Sequence, residues 1–91
     1  MDYLRAQKIL KYLSHNIDII EDLPRTGLPV GVVMTKLGEK QSNTSRILID
    51  GYKHGVLDRR RVGKEIYYMP KIGVLTRLKK IVNEINKIFS T

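Results

Sequence analysis

Two runs of side chains in this 91-residue sequence have the types and spacing to bind a polyanion. The first is Lys40-Gln41-Ser42-Asn43, continued by Ser45 and Arg46. Hydroxyl and amide groups can donate to phosphate oxygens or to base edges. A guanidinium can take guanine by two parallel hydrogen bonds, and a glutamine amide suits adenine. The second run is Arg59-Arg60-Arg61 with Lys64, a cluster of cations suited to neutralising phosphates. Lys36 and Lys40, around the turn where the first run begins, are the weaker phosphate candidates.

The charge follows the same stretch. The chain holds 17 basic and 9 acidic residues, a net +8. Residues 1–28 carry four of each sign, whereas residues 29–71 carry nine basic against four acidic, and residues 72–91 four against one. Nucleic acid is the leading partner for such a distribution, because cations that neutralise phosphates release counterions. A solvated basic surface would show the same balance, so charge alone does not decide.

Other chemistry finds little support. There is no cysteine, which excludes disulfides and thiolate metal sites and fits a cytoplasmic protein. His15 and His54 stand apart, without a nucleophile–base pair or a metal-ligand spacing around them. No catalytic residue, metal or cofactor is assigned. No apolar run approaches the roughly 20 residues that cross a bilayer, and no membrane role is expected. The length suits one domain over residues 1–91.

The supporting elements follow from periodicity. Asp2 can cap a helix from about Tyr3 to about His15, with Ala6, Ile9, Leu10, Leu13 and Ile17 on one face. Tyr3 and Tyr12 extend that face, in a direction open to a partner. From Asn16 to Gly27 the pattern breaks, and either a continued helix ending before Pro24 or a loop fits. After the extended pair Leu28-Pro29, Val30, Val33, Met34 and Leu37 mark a short second helix stopped by Gly38, with Glu39 and Lys40 in the turn. A third helix begins near Gln41 or Ser42, capped by Ser42 or Asn43. Thr44, Ile47, Leu48 and Gly51 face inward, and Ser42, Asn43, Ser45 and Arg46 face outward. Gly55 follows that helix. Leu57–Arg61 and Glu65–Met69 read as two strands joined at Val62-Gly63-Lys64, with Arg59 and Arg61 on one face and Arg60 on the other. Pro70 closes the hairpin.

A last helix runs from about Lys71 to Phe89. Leu75, Leu78, Val82, Ile85 and Phe89 alternate three and four apart, a heptad-like seam suited to a second copy of the chain. Covering the first helix and the hairpin would use the same apolar residues.

The order of elements from Leu28 to Met69, carried by NTSRILIDGYKHGVLDRRRVGKEIYYM, resembles the winged helix-turn-helix superfamily. The likeness is to small regulators of the MarR, ArsR and PadR kinds and to short winged-helix proteins of archaeal plasmids and viruses. It implies a mainly α chain with a small β-hairpin (α+β), comprising the helix-turn-helix and wing over 28–69 and a dimerisation helix over 71–89. It also implies that the third helix enters the major groove of double-stranded DNA while the basic wing meets the adjacent minor groove or backbone. Gly51 departs from the family pattern, which usually has a large apolar residue there. It either permits a close helix approach or ends the helix early.

Three functions are compatible with this reading. One is a homodimeric transcriptional regulator. Another is a DNA-coating or plasmid-partition protein that spreads on DNA and also binds other proteins. The third is a protein-interaction module whose winged helix does not touch nucleic acid. A charged edge strand that discourages sheet aggregation is the plainer account of the arginine run.

Overall fold

The computed structural model describes residues 2–38 and 40–90, and not the side chain of Gln41. The elements, in order, are α1 (Tyr3–Asp22), β1 (Leu28–Pro29), α2 (Val30–Leu37), α3 (Gln41–Lys53), β2 (Leu57–Val62), β3 (Glu65–Pro70) and α4 (Val74–Phe89). Among the described residues no helix is long and apolar enough to cross a membrane.

Asp2 caps α1 as expected, its carboxylate accepting from the Arg5 amide at 2.7 Å. The helix does not stop at His15. It continues to Asp22 through a kink at Asn16, where φ is −128° and ψ 16°. The cause is local competition for backbone acceptors. Ser14 Oγ donates to Lys11 O at 2.9 Å, His15 Nδ1 lies 2.9 Å from the same carbonyl, and Asn16 Nδ2 donates to Tyr12 O at 2.9 Å. Polar side chains that take carbonyls of the preceding turn bend a helix. Beyond the bend, Ile20 and Leu23 are buried in the core.

The expected face of α1 is also rotated. Ala6 and Leu10 are exposed, while Tyr12 is buried and Ile9 and Leu13 pack against the core. The Tyr12 hydroxyl sets this rotation by donating to Ile47 O on α3 at 2.8 Å. Burial, and secondarily the negative charge of Asp50, raise its pKa far above the ordinary 10.0, so it remains a donor.

Gly51 supplies the room. A Cβ there would meet the Tyr12 hydroxyl and lie 2.7 Å from Leu57 Cδ1. Of the two alternatives for this glycine, close approach is the one realised, because α3 runs on through Lys53. Gly51→Ala gains about 1 kcal/mol of helix propensity. It also forces α1 and β2 apart, an overpacking cost of about 1–3 kcal/mol. Net destabilisation is expected, visible as a lower urea midpoint at unchanged slope. A midpoint at or above wild type would contradict this packing.

Gly38 ends α2 in the left-handed conformation (φ 66°), its amide bonding Met34 O. Glu39, assigned to the turn, lies outside the described residues. α3 starts at Gln41, as expected, but its cap lies two residues before Ser42. Lys40 is the N-cap, and its carbonyl accepts both the Thr44 amide at 3.0 Å and the Thr44 hydroxyl at 3.1 Å. Thr44 is fully buried, so this pair pins the start of the helix and leaves Ser42 and Asn43 inside the first turn.

β2 and β3 form an antiparallel hairpin in which Val62 pairs with Glu65 and Leu57 with Pro70. The turn therefore contracts to Gly63-Lys64, and Gly63 takes a positive φ of 63° that glycine accepts without strain. Leu28-Pro29 does more than connect helices. It pairs antiparallel with Tyr68 and Tyr67, giving a three-stranded sheet of order β1-β3-β2. The core gathers Tyr12, Ile20, Leu23, Val33, Leu48, Val56, Leu57 and Tyr68 from helices and sheet alike.

α4 begins at Val74 rather than Lys71, because Lys71–Gly73 form a turn that returns the Lys71 amide to Val56 O and the Val74 amide to Lys71 O, both at 3.0 Å. Its 16 residues make a rod about 24 Å long.

Candidate nucleic-acid interface

The outward face of α3 and the β2–β3 hairpin carry the residues singled out by type and spacing. Lys40, Ser42 and Arg46 are exposed, and Asn43 and Ser45 are half-buried. Arg46 Nη2 donates to Asn43 Oδ1 at 2.7 Å, which holds the exposed guanidinium along the helix surface. Ser42 and Asn43 are not the N-cap of α3, a position held by Lys40. Gln41 begins the helix, and its side chain lies outside the described part of the structure.

The hairpin register confirms the alternation of its arginines. Arg59 is opposite the buried Tyr68 and Arg61 opposite Ile66, while Arg60 is opposite Tyr67 on the other face. Arg59 consequently lies on the side of the sheet that meets α3, with its guanidinium carbon 4.0 Å from the centroid of the Tyr52 ring. That cation–π contact joins the basic strand to the last turn of α3. Arg61 Nε donates to Gly63 O at 3.3 Å and keeps its side chain against the turn. Arg60 reaches Thr26 O only at 3.5 Å, a weak bond. Lys64 is exposed at the tip, and Lys36 is exposed on α2. Among the described residues the ion pair present is Lys87–Glu84 on α4, so the hairpin cations have no internal counter-charge there.

Three residues of this surface were missed in the sequence, namely Ile49, Tyr52 and Lys53, all exposed on α3. Extending the helical projection beyond Arg46 would have found Ile49 and Lys53. The tie between Tyr52 and Arg59 has no signal in the spacing, because it joins separate elements.

The histidines occupy structural positions. His15 accompanies the α1 kink, and His54 caps α3 with its ring 5.4 Å from that of Tyr12. Among the described residues no group of three or more His, Cys, Asp or Glu side chains could hold a metal ion.

The seam proposed for α4 divides. Leu78 is buried and Leu75 half-buried within the chain's own domain, whereas Val82, Ile85 and Phe89 remain exposed. Ile81 and Ile88 are exposed beside them, as are Tyr3, Leu4 and Leu10 of α1.

No protein-family model matches the sequence, and no curated protein matches it. Solved structures do. The homodimeric winged helix-turn-helix DNA-binding domain Mb0332 from Mycobacterium bovis, a possible ArsR-family transcriptional regulator, superposes with a TM-score of 0.77 at 20% identity, covering 96% of this chain and 82% of that one. NolR from Sinorhizobium fredii gives 0.72 at 22% identity over 96% and 86% of the two chains. The transcriptional repressor BigR from Xylella fastidiosa gives 0.66 at 26% identity over 96% and 91%. With α2, the Gly38 turn, α3 and the β2–β3 hairpin following one another, this chain has the winged helix-turn-helix fold.

Proposed function

We propose that this protein is a homodimeric DNA-binding transcriptional regulator, with α3 in the major groove and the wing on the adjacent minor groove or backbone. The observation that carries the reading is the stacking of Arg59 on Tyr52, which makes the recognition helix and the basic wing one continuous surface. The outward donors of α3 adjoin Arg59 and Arg61 of β2 on that side of the sheet, and Arg60 stands on the other face of the same strand. Mb0332 is a homodimeric DNA-binding domain and BigR a transcriptional repressor, which supports the same role here.

Dimerisation is supported by surface that the single chain leaves open. A compact monomer of 10.5 kDa exposes about 5,400 Å², against 6946 Å² here. The radius of gyration is 14.0 Å, where about 12 Å is usual for this length. The excess includes apolar side chains of α4 and the first half of α1, among them Ile88 at 69% exposure and Tyr3 at 79%. A two-fold pair would set two α3 helices about 34 Å apart, in successive major grooves on one side of the duplex.

Footprinting on DNA flanking the protein's own gene, across a protein concentration series, tests the reading. A single bounded, two-fold-symmetric protected site is expected. Protection that lengthens steadily with concentration would contradict it, as would the absence of salt-sensitive binding.

A further inference from the structure

The outward stripe of α3 is formed by Ser42, Arg46, Ile49 and Lys53, successive steps of four, three and four residues. This is the face opposite buried Thr44, Leu48 and Gly51. Three of its members are polar or cationic. Ile49 is a β-branched hydrocarbon set in the middle of them, 36% exposed. It does not belong to the described core or to the apolar residues packed against it. Tyr52, the other exposed apolar side chain of this helix, is already engaged by Arg59.

An aliphatic side chain flanked by Arg46 and Lys53 on a groove-facing helix is matched by one group on the floor of the major groove. That group is the 5-methyl of thymine, the apolar feature of its base edges. Arg46 and Lys53 suit the acceptors and phosphates on either side of such a base.

We infer that Ile49 is a specificity-determining residue that reads a thymine methyl group. The inference rests on the DNA-binding reading above and adds to it the chemical identity of one recognised base. Because the contact buries about one methyl group, its removal from either partner costs about fourfold in affinity.

The test uses duplexes selected from a random-sequence pool by the wild-type protein. Each thymine is then replaced in turn by deoxyuridine, which deletes only the methyl. Wild type should lose about fourfold at one thymine in each half-site. Ile49→Ala should bind the parent duplex about fourfold more weakly per half-site and show no further loss at that thymine. Ile49→Val should retain part of the dependence. Circular dichroism of both variants, with Ile49 partly exposed, should match wild type. An equal methyl dependence in wild type and Ile49→Ala would overturn the assignment. So would salt-sensitive duplex binding by wild type that is indifferent to every thymine methyl, an outcome that leaves the DNA-binding reading intact. Absence of any salt-sensitive duplex binding overturns both.

Discussion

Replacing Arg60, Arg61 and Lys64 together with alanine is expected to lower affinity for every duplex, selected or random, on the order of a hundredfold at low salt. The three side chains are exposed on the wing and lack a carboxylate partner among the described residues. Their charge is therefore available to phosphates. Each phosphate that is no longer neutralised should flatten the slope of log affinity against log salt by about 0.9. A two-fold dimer loses the set twice. Arg59 is left in place because its guanidinium holds Tyr52, and removing it would disturb α3 as well as the wing. Fluorescence anisotropy across a salt series gives both quantities. Selected and random duplexes should weaken alike, since phosphates carry no sequence. An unchanged salt slope would remove the wing from the interface and leave the arginines as a charged strand edge. These surface cations contribute little to folding, so the thermal midpoint should barely move.

Introducing glutamate at Ile85 and Phe89 should convert the proposed dimer to a folded monomer and reduce affinity for a two-half-site duplex by roughly 10²–10⁴-fold, the usual worth of simultaneous engagement. These positions are 49% and 78% exposed in the single chain, so charges there meet water in the monomer and an apolar surface in the dimer. Leu78 belongs to the same heptad-like row but is 7% exposed. A glutamate at Leu78 would bury a carboxylate and unfold the domain, confusing loss of assembly with loss of structure. Static light scattering should report the mass of one 10.5 kDa chain for the double variant, with wild-type helicity by circular dichroism. A surviving dimer would move the interface off α4, to surfaces such as Tyr3, Leu4 and Leu10 of α1.

The two outcomes separate the work of the fold. The wing variant should remain dimeric while losing its grip on phosphates. The α4 variant should keep an intact α3 and wing while losing the second half-site. The loss on random DNA is thus expected to be larger relative to the selected site for the first variant than for the second.

Sequence alone determined those features that depend on a few neighbouring residues. The α2–α3 unit was legible from apolar spacing and from Gly38, which follows the last periodic apolar residue and takes the left-handed conformation that ends the helix. The hairpin was legible from alternation around Gly63, and the basic run 59–61 needed no fold to be seen. The tertiary structure decided what depends on residues far apart in the chain. The rotation of α1 comes from Tyr12 finding Ile47 O, 35 residues away, in the space that Gly51 leaves. The bend at Asn16 is local chemistry, but burial of Ile20 and Leu23 is what it achieves in the folded core. The start of α3 is pinned by Thr44 because that side chain is buried and must satisfy its hydroxyl at Lys40 O. The α4 seam reads as one row in sequence, yet the domain claims Leu75 and Leu78 and leaves Val82, Ile85 and Phe89 outside. Periodicity states that side chains share a face; only the packing of other elements states how far along the helix that face is covered.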